Sequence, residues 1–559
     1  MKNLINLFAA SLLLFTVISC TSGTKEIGAD ISTETEQIEA GKVLFEQNCS
    51  TCHNFNQSAI GPNLSGLTRK VESEWIRGFI KNPQEKIDQG DERAKELYEK
   101  YKVYMPAFPT LKEEDINALL SYMHTYERAP VEVNDSEKLE DPIPEKISKS
   151  DLNLELEYFA QIPASDKASP LAKITKMECE PVSGRFFVQD QHGIMYEIRD
   201  SKPYEYFNLK SYFPDFVSKP GLATGFGSYA FHPDFTNNGL LYTSHTEKPG
   251  NKPKDFDYAD SIKVTMEWVI TEWTLEDPNA ETFKGTGREL MRIDVVTQIH
   301  GVQELAFNPN ASPGDEDYGL LFIGIGDGGS AESGFSFIAD HQGSKIWSSI
   351  MRIDPSGSNS ANGKYGIPAS NPFAGVPGKL GEIYAYGFRN PNRIFWDPKG
   401  RMLATEIGHH NIEELNLIEP GKFYGWPIRE GTFVINPFGN MSNLYPLPAD
   451  DSLLNATYPL LQFDHDEGNA IIAGYFPEGG PFKGKLLFGD IPSGKLFFSD
   501  LNQSQPEILE IGVVYDGKET TLRDLCQNGR VDLKYGQDCQ GQVYVMTKAD
   551  GKIYKIINQ

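Results

Sequence analysis

The sequence predicts a multidomain chain, a small all-α domain over residues 38–128 followed by an all-β propeller over 155–559. Three observations predict it. Apolar residues recur at helical spacing in the first region, most plainly from Lys112 to Thr125 (KEEDINALLSYMHT). Beyond about residue 155 the period changes to short β-rich runs that share one design: a hydrophobic strand, a turn containing glycine, and a second strand. Two polar stretches punctuate the chain. Residues 21–37 are Ser, Thr, Gly and acid, and read as a tether. Residues 129–154 are rich in Pro, Glu, Lys and Ser, and read as a linker.

The first residues read as processing rather than fold. Lys2 supplies positive charge, and Leu4 to Ile18 is an apolar run too short for a comfortable membrane span. It ends in Val17-Ile18-Ser19-Cys20, which resembles a bacterial lipobox. The expectation is a signal peptide over 1–20, with Cys20 acylated and the body exported and anchored by lipid to a bacterial membrane, on its periplasmic or cell-surface face. An ordinary signal peptide with an incidental cysteine is the alternative. The net charge of −26 argues against nucleic acid, which calls for concentrated positive charge.

Within the helical region, Lys42-Val43-Leu44-Phe45 leads into Cys49-Ser50-Thr51-Cys52-His53, and Pro109 and Thr110 signal the start of the last helix. CxxCH is the c-type haem attachment motif. Two thiols one helical turn apart suit two haem vinyl groups, and the next histidine presents its imidazole to the iron. Zinc would want two further ligands nearby, and only His124 lies in this region. A redox CxxC would want a strand–turn–helix context that is missing.

In the second region, the hairpin design recurs at Arg185–Ile198, Lys485–Phe498 and Gln542–Ile556. Weaker copies lie at Leu320–Ile325 with Ile350–Ile353 and at Arg393–Ile407. Repeated hairpins over so long a stretch suggest blades arranged radially, and a β-sandwich would seldom need so many. The 51 glycines and 35 prolines fit such a turn-rich β protein. Among the remaining cysteines, Cys526 and Cys539 flank a short segment and are expected to close a disulfide, two separate thiols being the alternative. Cys179 is expected to be a buried thiol.

Residues 38–127 resemble a class I cytochrome c. Gly41 and Phe45 precede the motif, Ile60-Gly61-Pro62-Asn63-Leu64 follows it, and Tyr104-Met105-Pro106 comes later. The resemblance implies Met105 as the sixth iron ligand opposite His53, with Met123 as a rival. A six-coordinate His/Met haem carries one electron and leaves no open site for substrate.

Residues from about 165 to 556 resemble the soluble quinoprotein glucose/sorbosone dehydrogenases. The carrying segments are Tyr229-Ala-Phe-His-Pro-Asp-Phe235, Gly324-Ile-Gly-Asp-Gly-Gly329, Tyr386-Gly-Phe-Arg-Asn-Pro391, Glu413-Glu-Leu-Asn416 and Tyr424-Gly-Trp-Pro427, in that order. The resemblance implies a six-bladed β-propeller that uses pyrroloquinoline quinone (PQQ) and calcium. It implies His300 as catalytic base, oriented by Asp327, and Arg389, Asn390 and Arg530 as quinone contacts. The carbonyls of Gly408 and His409 would hold the catalytic calcium; Glu414, the carbonyl of Tyr424 and Glu413 would form a second calcium site. Three places depart from the family pattern: Ala223 or a neighbour where a glutamine near the substrate is usual, the vicinity of Pro492 where a lysine contacting the quinone is usual, and Gly301-Val302-Gln303 after the histidine where Asn-Gly-Gly is usual. They leave the fold intact but put glucose specificity, and in part quinone affinity, in question.

The leading function is therefore an oxidoreductase that takes a sugar or polyol as substrate and passes electrons through haem c to a respiratory electron acceptor. Two other classes compete: a non-catalytic ligand-binding propeller with an electron-transfer haem, and a calcium-dependent hydrolase of the lactonase kind.

Overall fold

The computed structural model describes residues 27–50, 53, 55, 61–101, 105–126, 133–167, 170–219, 223–259 and 262–558, with the main chain alone at 46 and 47. The signal peptide, Cys20 and Cys52 lie outside the described residues. Two compact units emerge, one from 27–45 with 67–125 and one from 46–66 with 126–558.

The first unit is helical. Its last helix, Glu113–His124, starts where Lys112 N–H donates to Asp115 Oδ2 at 2.9 Å, and it buries Ile116, Leu119, Leu120 and Met123. The helix Thr35–Asn48 crosses it at Gly41, where a Cβ would lie 1.9 Å from the Ala118 carbonyl; only glycine permits that approach. Phe45 packs on Tyr122 beside the crossing, with ring centroids 5.5 Å apart. Part of the segment expected as a tether is tied down here: Ser73 Oγ donates to Asp30, Ile31 is buried, and the helix begins at Thr35 rather than 38. Among the described residues no helix is long and apolar enough to cross a membrane.

The second unit is built of antiparallel sheets. Phe226–Phe231, Leu240–Glu247, Met266–Leu275 and Gly285–Val295 form one, and Val302–Phe307, Leu321–Ile325, Ser349–Ile353 and Ile383–Tyr386 the next. Pro391–Trp396, Met402–Glu406 and Ile412–Leu417 are completed by Leu461–Asp464. Each sequence-predicted hairpin is present, for example Phe186–Asp190 with Ile194–Arg199 and Val543–Thr547 with Lys552–Ile556. Ser148–Gln161 joins first and last elements, pairing parallel with Leu509–Tyr515 and antiparallel with Lys552–Ile556. That strand starts inside the stretch expected as a linker, which is further fixed by pairing of Leu139 with Leu444.

The disulfide expectation is corrected. Cys179 bonds to Cys539, and Cys526 remains a buried thiol. The reason is register: Ile174–Cys179 runs parallel beside Leu533–Gln537, with Glu178 opposite Gln537, so the residues just past that pairing come together with Cα atoms 5.6 Å apart. Cys526 instead ends the helix Leu522–Cys526, its thiol directed at the carbonyls of Arg523 and Asn528.

Candidate functional site

His53 N–H donates to the Cys49 carbonyl at 2.9 Å. Its Nδ1 lies 2.9 Å from the Pro62 carbonyl. A carbonyl can only accept, so Nδ1 carries the proton and Nε2 keeps its lone pair for a metal. Burial lowers the pKa of the imidazole, which favours this neutral form. A Cβ on Gly61 would lie 2.4 Å from the ring, so the Gly-Pro of the motif seats the histidine twice: by the space at 61 and the carbonyl at 62. These features fit an axial iron ligand. Cys49 is half-buried; Met105 is half-buried in the other unit, and Met123 is in that unit's core.

In the propeller, the strands nearest the axis line a cavity of about 220 Å³, to which Lys176, Glu304, Arg393 and Tyr535 contribute. His300 sits at its edge, just ahead of Val302–Phe307, with φ +54°. A left-handed histidine costs roughly 1–3 kcal/mol unless its surroundings impose it. Here they do. The His300 carbonyl accepts from the Gly328 amide, and a Cβ at Gly326 would lie 2.6 Å from that carbonyl.

His300 Nδ1 lies 2.8 Å from Asp327 Oδ1. Asp327 is fully buried and also accepts from Gly329 N–H at 2.8 Å and Trp426 Nε1 at 3.2 Å. A carboxylate so surrounded by donors acts as acceptor toward histidine, leaving His300 Nε2 as the free base. Burial and the nearby Arg389 lower the His300 pKa, against the raising pull of Asp327. The pair is thus a neutral base with a fixed tautomer.

Arg389 has one amino group 2.5 Å from the Gly408 carbonyl and 3.2 Å from that of Ile407, while its Nε donates to Glu332 at 3.0 Å. Glu332 also meets His409 Nδ1 at 3.1 Å. Burial pushes Glu332 up, but His409 and Arg389 hold it well below the usual carboxylate range. Glu332 was missed in the sequence, although an acid five residues past Asp327 in a glycine-rich turn was a legible signal. The Gly408 loop is wrapped on Glu430, whose Oε1 accepts the amides of His409, Asn411 and Ile412 at 2.8–3.0 Å.

The expected calcium residues do not converge on one point. Glu413 and Glu414 are neighbours on a strand and face opposite ways: Glu413 meets His465 and the Ile471 amide, Glu414 the Gly431 amide and Asn416. Burial pushes Glu414 up to about 7 and Glu406, directly opposite it in the ladder, well above the ordinary range. Glu406 Oε2, Asn416 Oδ1 and Asn390 Oδ1 are buried with no hydrogen-bond partner. Oxygen donors in that condition fit a hard cation. Tyr424 stacks on Phe388, its hydroxyl donating to the Leu417 carbonyl. Arg530 lines the cavity and pairs with Asp532 at 2.7 Å. Ala223 and Gln303, two of the departures, line the same cavity.

Fold and site together define a class, a β-propeller with a histidine–carboxylate pair at a polar axial cavity, joined to a helical domain with a haem-attachment motif. Over residues 175–555 the chain belongs to the glucose/sorbosone dehydrogenase family, and residues 38–127 form a cytochrome c domain. It is 28% identical over 233 residues to quinoprotein glucose dehydrogenase B of Acinetobacter calcoaceticus, covering 38% of this chain and 42% of the relative. To the aldose sugar dehydrogenase YliI of Escherichia coli (strain K12) it is 25% identical over 311 residues, 54% of this chain and 74% of the relative. HIPL2 protein of Arabidopsis thaliana is 29% identical over 348 residues, 53% of this chain and 47% of that one. The chain thus spans about half the length of several curated relatives it matches. The crystal structure of the soluble aldose sugar dehydrogenase from Escherichia coli in its apo-form shares the fold, with a TM-score of 0.51 at 19% identity over 72% of this chain and 99% of that one.

Proposed function

We propose that this chain oxidises a sugar or related polyol at the axial cavity of a six-bladed propeller and passes the electrons singly to its own c-type haem. The observation that carries the reading is the His300–Asp327 pair, a buried base that lines the cavity with its tautomer fixed by a 2.8 Å contact to the carboxylate. In the reaction, Asp327 holds the Nδ1 proton of His300, and Nε2 receives the proton of the substrate hydroxyl. The carboxylate then stabilises the imidazolium that forms.

Arg389, Asn390 and Arg530 would hold PQQ, which when bound supplies the two-electron acceptor that no side chain can provide. The planar fork of Arg389 suits carbonyls and carboxylates, and the unpartnered Asn390 Oδ1 is a polar atom in want of one. Calcium would be held at one place by the carbonyls of Gly408 and His409, already attractive enough to draw the Arg389 cation, and at a second by Glu414 with the Tyr424 carbonyl; Glu413, which faces the other way toward His465 and the Ile471 amide, would not join it. Cys49 and Cys52 would carry the haem by thioethers, with His53 and Met105 as axial ligands.

The Cys179–Cys539 disulfide supports an exported protein, since such bonds persist in oxidising compartments. We place the chain on a bacterial membrane through acylated Cys20, delivering electrons to a respiratory acceptor. The test is the haem spectrum of purified protein given PQQ, calcium and a sugar panel; haem reduction by at least one sugar is expected.

One observation favours a second reading. The chain is 27% identical over 369 residues to the hedgehog-interacting protein of Mus musculus, covering 61% of this chain, so a propeller of this family need not be an enzyme. Under that reading PQQ titration shows no binding and no sugar reduces the haem.

A further inference from the structure

The strand Leu321–Ile325 has Asp327 just past one end, beside His300. Tyr318 lies just ahead of its other end, and Asp354 follows the neighbouring Ser349–Ile353, whose Ile353 pairs with Leu321. The five residues of Leu321–Ile325 put roughly 16 Å between the two ends. His232 comes to the second end from the preceding sheet, just past Phe226–Phe231, its N–H donating to the Leu240 carbonyl at 3.0 Å. His232, Tyr318 and Asp354 line a crevice of about 480 Å³. That is larger than the axial cavity and within the roughly 300–1,000 Å³ of small-molecule sites.

Most charged groups of the crevice wall are matched by one another or by acids close by. Arg288 donates twice to Glu272 Oε1, at 3.0 and 2.7 Å, and the second carboxylate oxygen accepts from the Tyr242 hydroxyl at 2.9 Å. Lys364 lies 3.7 Å from Asp255 and 3.8 Å from Glu289. Three polar atoms keep unused capacity. His232 Nδ1 accepts from the Asp234 amide at 3.0 Å, which leaves the proton on Nε2, and burial lowers the pKa of the ring and keeps it neutral. Neither that Nε2 nor the Tyr318 hydroxyl makes a hydrogen bond among the described residues. Asp354 turns Oδ1 to the Ser356 amide and hydroxyl at 2.9 and 2.6 Å, and its Oδ2 has no hydrogen-bond partner among the described residues. Glycines stand against both groups: a Cβ at Gly319 would lie 3.2 Å from His232 Nε2, and one at Gly357 3.2 Å from Asp354 Oδ2.

We propose that this crevice binds a neutral saccharide, a single pyranose ring or the end of an oligosaccharide, at a site separate from the axial cavity. A sugar hydroxyl is donor and acceptor at once, so it can donate to Asp354 Oδ2 while a second accepts from His232 Nε2, and either suits the Tyr318 hydroxyl. The Tyr318 ring adds apolar surface for the C–H groups of the sugar. One unpaired carboxylate oxygen is too few hard ligands for a metal ion, and cations already matched by acids offer little to an anion.

Full-length haem-loaded protein without quinone is titrated calorimetrically with methyl α-D-glucoside, methyl α-D-mannoside, methyl β-D-galactoside and maltotriose. Wild type is compared with Tyr318→Phe, which removes one hydroxyl, and Asp354→Asn, which keeps Oδ1 and turns the free acceptor into a donor. His300→Ala serves as the variant of the axial cavity, and the haem spectrum and thermal midpoint confirm folding throughout. Saturable binding of at least one probe is expected, about 10-fold weaker in both crevice variants and unchanged in His300→Ala. No saturable binding of any probe overturns the proposal, as does binding that is unchanged in either crevice variant or that His300→Ala removes. No quinone is present and turnover is not read, so the outcome is separate from that of the dehydrogenase reading.

Discussion

His300 just precedes Val302–Phe307 and Asp327 just follows its neighbour Leu321–Ile325, and their Nδ1 and Oδ1 atoms meet at 2.8 Å with the histidine held in the left-handed conformation. Asp327→Asn would present an amide to Nδ1 and permit the wrong tautomer. Sugar-driven haem reduction should fall by roughly 10²–10⁴-fold, while dithionite reduces the haem as in wild type. Stopped-flow absorbance checks this.

The pH profile follows from the same pair. Burial and Arg389 lower the His300 pKa from 6.5, so the neutral base persists below that pH and the acid limb of kcat/KM should lie under 6.5. Glu332 raises the His300 pKa, so Glu332→Gln should move the limb further toward acid. A limb above 6.5 in wild type contradicts the assignment.

The disulfide closes a separation of 360 residues, for which chain entropy alone gives about 6 kcal/mol, above the range such crosslinks usually deliver. Cys179→Ser with Cys539→Ser should lower the denaturant midpoint accordingly. Cys526→Ser should cost about 1 kcal/mol or less, because its thiol forms no crosslink.

At the haem, Gly61→Ala drives a methyl into the His53 ring and should impair haem incorporation or lower its yield. Met105→Ala should leave covalent attachment intact and lower the reduction potential, since a thioether ligand raises it. Potentiometric titration separates the two; an unchanged potential in Met105→Ala would move the sixth ligand elsewhere.

Much of this was legible in the sequence, because hairpin periodicity and CxxCH are local signals. The hairpins at 185–198, 485–498 and 542–556 formed where alternation and turn glycines placed them. The Cys179–Cys539 bond was not legible, since a parallel pairing between the two ends of the propeller sets it. Glu332 was overlooked for a similar reason. The charge pattern alone does not say which groups meet, and only closure of the propeller does, although the acid five residues past Asp327 was itself legible. The ordered stretch at 27–34 carried no periodicity at all, and it is fixed by contacts such as Ser73 with Asp30.

The central claim is that a propeller base feeds the haem. The most direct test is the haem absorption spectrum of the purified full-length protein, loaded with PQQ and calcium, on addition of a neutral and acidic sugar panel. Haem reduction in wild type that is lost in His300→Ala, with the dithionite-reduced spectrum unchanged, is the predicted result. Reduction that persists in His300→Ala, or no reduction by any sugar when PQQ is bound, would contradict it.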